Sequence, residues 1–85
     1  MTSINLDSVK ILESIEIILK KIHKNNNLSI TMLSTREEIS GWDSLAHIRL
    51  ILEIESTFKI KFSTSHVMEL VTIKKLHDAI LQKME

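Results

Sequence analysis

Ser44 and His47 stand three residues apart, about one helical turn, and a hydroxyl beside an imidazole is the smallest pairing of nucleophile with base. On a helix starting at Asp43 or Ser44, however, His47 projects toward the core face while Ser44 stays at the helix start. No catalytic residue is therefore assigned. The histidines at 23, 47, 66 and 77 are never spaced i, i+4 on one helix, and the chain has no cysteine, so no metal site is expected. Neither Gly-x-Ser-x-Gly nor His-Glu-x-x-His occurs, and a lone glycine, Gly41, does not make a phosphate-cradling loop. What remains is a serine at a helix start. The Asp43-Ser44 pair supplies side-chain oxygens for the free amides, and an anion there meets the positive end of the helix dipole.

The second helix, expected from Asp43 or Ser44 to about Phe58, is apolar on two sides. Leu50, Ile51, Ile54 and Phe58 cluster on one; Leu45, Ile48 and Leu52 form a stripe on nearly the opposite one. Either the preceding loop folds over that stripe, or the stripe meets a partner or cargo. Before it, Ile4 to Lys24 reads as an amphipathic helix, with Ile4, Ile11, Leu12, Ile15, Ile18, Leu19 and Ile22 on one face. Thr2 or Ser3 is its expected cap, and Asn25-Asn26-Asn27 its expected end. Ile17 falls on its polar side without an explanation. Leu28 to Gly41 reads as a long ordered loop with a short helical turn near Ile39. Phe58, Ile60 and Phe62 alternate as an extended connector, and Ser63-Thr64-Ser65 can cap a short turn through Val67, Met68 and Leu70. Thr72 caps a last helix with Ile73, Leu76, Ile80 and Met84 on one face, and His77, like His47, points inward. The fold class is all-α: a bundle of three main helices and one short helix, with a long loop between the first and second.

Composition narrows the function. The 85 residues suit one domain, 1–85, and the absence of cysteine excludes disulfides and thiolate metal sites as staples. Eleven basic residues balance eleven acidic ones, which removes the uniform attraction that nucleic acids and anionic membranes require. Lys20, Lys21 and Lys24 cluster, but a single arginine in the second helix is a poor basis for a helix-turn-helix DNA binder. No apolar run approaches spanning length and no secretory signal is recognised at Met1, so a cytoplasmic location is expected.

Gly41-Trp42-Asp43-Ser44-Leu45, at the start of the second helix and after a long loop, resembles the 4'-phosphopantetheine attachment motif of acyl carrier proteins and related peptidyl and polyketide carrier domains. The resemblance runs from Ile4 through the last helix. It includes the Glu53-x-Glu55 pair, Phe58-x-Ile60-x-Phe62 and Thr72-Ile73-x-x-Leu76. It implies that the Ser44 hydroxyl carries 4'-phosphopantetheine donated by coenzyme A, whose thiol holds an acyl or aminoacyl group as a thioester. Asp43 then serves as cap and transferase contact, Leu45 belongs to the attachment motif, and Trp42 anchors the loop in the core. The implied partners are a phosphopantetheinyl transferase, an acyl-loading or adenylating enzyme and a downstream acyltransferase or synthase, meeting Leu45, Ile48, Arg49, Leu52 and Glu53. The carrier itself catalyses nothing, and is expected to be a monomer. General fatty-acid carriers are strongly acidic, whereas this chain is neutral and places Arg49 in the docking helix. That departure implies a dedicated carrier for polyketide or nonribosomal peptide assembly, amino-acid activation or glycan acylation. The alternative from another class is a cofactor-free helical interaction module that docks through Leu45, Ile48 and Leu52.

Overall fold

The computed structural model describes residues 6–39 and 41–84, with Leu6 described in its backbone only. Four α-helices form in the expected order: α1 (Leu6–His23), α2 (Ser44–Phe58), α3 (Thr64–Glu69) and α4 (Ile73–Met84), with a 3-10 turn at Arg36–Glu38. The expected start of the first helix, Ile4 with its cap at Thr2 or Ser3, lies outside the described residues. None of the helices among the described residues is long and apolar enough to cross a membrane.

The core follows the apolar stripes. Ile11 and Ile15 of α1, Leu50 and Ile54 of α2, and Ile73, Leu76 and Ile80 of α4 are each 0% exposed, and α1 packs against both α2 and α4. Met84 shares the α4 stripe but is exposed at the helix end. Ile17 is exposed on the polar side of α1, and nothing in the structure explains it.

The second helix ends at Phe58 as expected, while the first closes on a different residue type. The left-handed residue that closes α1 is Lys24 (φ 52°) rather than an asparagine, and Lys59 (φ 59°) closes α2 in the same way. In each case the next amide reaches back into the helix, Asn25 N to Lys20 O and Ile60 N to Glu55 O, both at 3.1 Å. A left-handed L-residue costs roughly 1–2 kcal/mol. Glycine would relieve that strain, but the only glycine is at 41.

The long loop is ordered by what it touches. Glu16 of α1 accepts a hydrogen bond from Ile30 N (3.0 Å), and Ile30 and Ile39 enter the core. Thr35 pairs with Thr72 in an isolated antiparallel bridge, and Ser34 O accepts from Ile73 N (3.1 Å), tying the loop to the start of α4. Thr72 Oγ1 caps α4 through Lys75 N, and Ser63 Oγ caps α3 through His66 N.

Candidate functional site

The foot of α2 is built by three residues of unlike chemistry. Gly41 has φ +88°, and a Cβ there would stand 3.1 Å from His23 Nδ1, so backbone and space both favour glycine. Trp42 is 5% exposed, and its carbonyl accepts from Arg36 Nε at 2.9 Å. Its indole N–H donates to His47 Nδ1 (3.0 Å), and the two rings stack with centroids 5.8 Å apart. Because Trp42 can only donate, Nδ1 must accept, so the His47 proton sits on Nε2 and is donated to the Val67 carbonyl at 2.9 Å. His47 therefore ties the segment before Ser44 to α3 and is turned away from the Ser44 hydroxyl. The two do not form a nucleophile and base.

Asp43, in extended backbone, caps α2 by accepting from Ala46 N through Oδ1 (2.9 Å). Ser44 is consequently the first helical residue and free of capping duty. Its side chain is exposed, and among the described residues neither its hydroxyl nor the amides of Ser44 and Leu45 have a partner. An exposed hydroxyl beside open first-turn amides fits a phosphate ester, since the amides and the dipole both favour negative charge.

Beyond Ser44 the second stripe faces outward: Leu45 is 60% exposed, Ile48 53% and Leu52 58%. The loop does not cover it. A cleft of about 230 Å3 between α2 and α3, lined by Ile48, Ile51, Leu52, Phe62 and Val67, adjoins the stripe on one side. Arg49 is exposed and has no partner among the described residues; the spacing i, i+4 to Glu53 is not used. Glu53 instead bonds Lys21 of α1 (3.1 Å), and Glu55 accepts from Phe62 N (2.9 Å).

Sequence reasoning did not single out Lys21, Lys24 or Arg36 for this site. The α1 lysines reach α2 only because α1 and α2 pack side by side, and Arg36 reaches Trp42 only because the loop turns back. A second ordered file also went unread. Ser8 Oγ, His77 and Asp78 line up at 2.6 and 3.1 Å, joining α1 to α4. His77 is 3% exposed, so this file acts as a clamp between helices. Bonds from Lys74 and, secondarily, His77 hold the Asp78 carboxyl below its ordinary value. Among the described residues no group of side chains is arranged to hold a metal ion.

A small helical scaffold with an exposed serine at the foot of an outward-facing apolar helix has the layout of a carrier domain. Residues 37–80, just over half of the chain, match the family described as the phosphopantetheine attachment site, and the chain belongs to that family of acyl carrier proteins. The fold agrees. It is similar to the solution NMR structure of a holo acyl carrier protein from Geobacter metallireducens, with a TM-score of 0.77, 27% identity, and coverage of 86% of this chain and 84% of that one. A search of the curated proteins finds no match. The chain is thus a carrier and not a catalyst, its cofactor is covalent 4'-phosphopantetheine, and its partners include a phosphopantetheinyl transferase and biosynthetic enzymes.

Proposed function

We propose that residues 1–85 form a single carrier domain and that Ser44 is where the cofactor is attached. The observation that carries this reading is the division of labour at the foot of α2: Asp43 caps the helix and leaves the Ser44 hydroxyl exposed and without a partner among the described residues. On the transferase the Ser44 oxygen attacks the pantetheine-side phosphorus of coenzyme A, and the pyrophosphate link breaks. Adenosine 3',5'-bisphosphate leaves, the hydroxyl proton is lost, and the oxygen becomes one ester oxygen of a phosphodiester. The amides of Ser44 and Leu45 lie against its charge, and Trp42, held by Arg36 and His47, fixes the approach to the helix. When bound, the cofactor supplies a terminal thiol that holds an acyl or aminoacyl group as a thioester. Leu45, Ile48 and Leu52 supply the apolar contact with each enzyme, flanked by Arg49 and Glu53.

The pathway is a dedicated one in the cytoplasm rather than general fatty-acid synthesis. A net charge of zero supports this, as do the pairing of Glu53 with Lys21 and the exposed Arg49, which reduce the negative charge that α2 offers a basic enzyme surface. Coexpression with a broad-specificity phosphopantetheinyl transferase should add one phosphopantetheinyl group, assigned to Ser44 by fragmentation of the intact protein. Ser44→Ala should fold and gain nothing. A modified alanine variant, or a wild type left unmodified by an active transferase, overturns the attachment site.

A further inference from the structure

The groove between the end of α1 and the middle of α2 has a volume of about 370 Å3 and is lined by Lys21, Lys24, Arg49, Leu52 and Glu53. Three cations face one carboxylate there, and Lys21 already engages that carboxylate at 3.1 Å. Arg49 and Lys24 are exposed and make no ion pair among the described residues. Toward the other end of α2, Lys59 and Lys61 border a second hollow together with Glu55, and it shares Leu52 with the first. Glu55, which accepts from the Phe62 amide, and Asp43, which caps α2, keep their negative charge but lie outside this groove. On its α1 side the outward apolar stripe is thus bordered by a groove with more cations than carboxylates, although the whole chain is neutral.

Position brings this groove within reach of partners. Arg49 lies five residues beyond Ser44, roughly 7.5 Å along the helix axis at 1.5 Å per residue. A standard interface covers about 800 Å2 on each partner, a patch roughly 30 Å across. An enzyme interface centred on Ser44 is therefore wide enough to cover the groove.

We infer that the α1–α2 groove is a docking site for enzymes whose carrier-binding surface sets an apolar pocket among carboxylates. This rests on attachment at Ser44 and adds the chemistry of the partner. Carboxylates on the enzyme take Lys21, Lys24 and Arg49 while Leu45, Ile48 and Leu52 fill its apolar pocket; an enzyme with a basic surface meets like charge and is excluded. The selection is shared between two helices, so α1 takes part in recognition.

The probes are two phosphopantetheinyl transferases of known structure, one with an acidic carrier-facing surface and one with a basic one, each supplied with coenzyme A. The rate of mass gain at Ser44 is followed for wild type, for Lys24→Glu with Arg49→Glu, and for the milder Lys24→Asn with Arg49→Gln. Circular dichroism verifies that each variant is folded. At low salt the double charge reversal should slow the acidic transferase about tenfold and speed the basic one, and the neutralised pair should fall between. Both effects should shrink as salt rises. Mass gain at Ser44 with an unchanged ratio of the two rates across the variants overturns the docking site and leaves the attachment reading standing. No gain at Ser44 with either active transferase overturns the attachment reading, and this inference with it.

Discussion

The seam between α1 and α4 and the seam between α2 and α3 each hold a buried histidine, and the two histidines support structures of different strength. His77 bonds Ser8 across a seam already closed by side chains that are 0% exposed on both helices, including Ile11, Ile15, Ile73 and Ile80. His47 bonds the carbonyl of Val67 in a helix of six residues with no buried side chain. A single turn and a half cannot sustain itself, so α3 depends on its Ser63 cap, on half-buried Val67 and on the bond from His47. The difference places firm packing behind α1, α2 and α4 and weak packing beside the stripe that meets partners. Segments that must adapt to several enzymes are drawn from the less stable end of a fold.

The comparison is broken most directly by removing core atoms. Ile54→Ala, at a fully buried site, should lose about 2–5 kcal/mol in urea denaturation, whereas Val67→Ala, at a half-buried one, should lose about 1 kcal/mol or less. Equal losses would mean that α3 belongs to the same cooperative core. Next in size, His47→Phe leaves the Trp42 N–H and the Val67 carbonyl without their partner, for a loss of about 1–3 kcal/mol. Hydrogen exchange should then quicken in α3 and around 41–43 while α1 and α4 keep their protection; uniform quickening contradicts the division.

A smaller effect separates the two residues at the foot of α2. Asp43→Ala should cost about 1 kcal/mol because it holds the cap, while Ser44→Ala should stay within about 0.5 kcal/mol of wild type. The reverse order would give Ser44 the capping role. Smallest is the acid limb of the α1–α4 seam. Asp78 has its folded pKa held below 3.8 by Lys74 first and then His77, so its stabilisation is present above 3.8 and is lost as pH falls through the lower folded value. Its carboxyl is half exposed, and solvent screens the gain. Asp78→Asn should flatten only this acid limb and only at low salt; an unchanged profile removes the carboxylate from the seam.

Most of the helical frame was legible because its apolar residues recur at helical spacing, as Ile11, Ile15 and Ile18 do, and because Ser63 and Thr72 are good caps in the right places. The outward stripe was legible from the same periodicity, since Leu45, Ile48 and Leu52 share no face with Leu50 and Ile54. Long-range polar bonds were not. Nothing in the spacing says that Glu53 will choose Lys21, 32 residues away, over Arg49 on its own helix. Nor does local sequence say that Ser8 and His77 will meet across 69 residues. The end of α2 at Phe58 was legible, but the residue that closes α1 was not, because a left-handed lysine carries no compositional mark, whereas asparagine does. Whether the loop would lie over the stripe was equally open, and it was decided by Glu16, Thr72 and Ile73, which draw the loop toward α1 and α4.

Trp42 is the only tryptophan in a chain without tyrosine, and its indole is buried, hydrogen-bonded and stacked on a single imidazole two residues before Ser44. The near-ultraviolet emission of the protein therefore comes from one ring at one place. Any event that parts that ring from His47 exposes it to water and moves its fluorescence to longer wavelength, while the far-ultraviolet signal of the helices stays the same. The protein thus carries an intrinsic optical reporter beside its proposed attachment point.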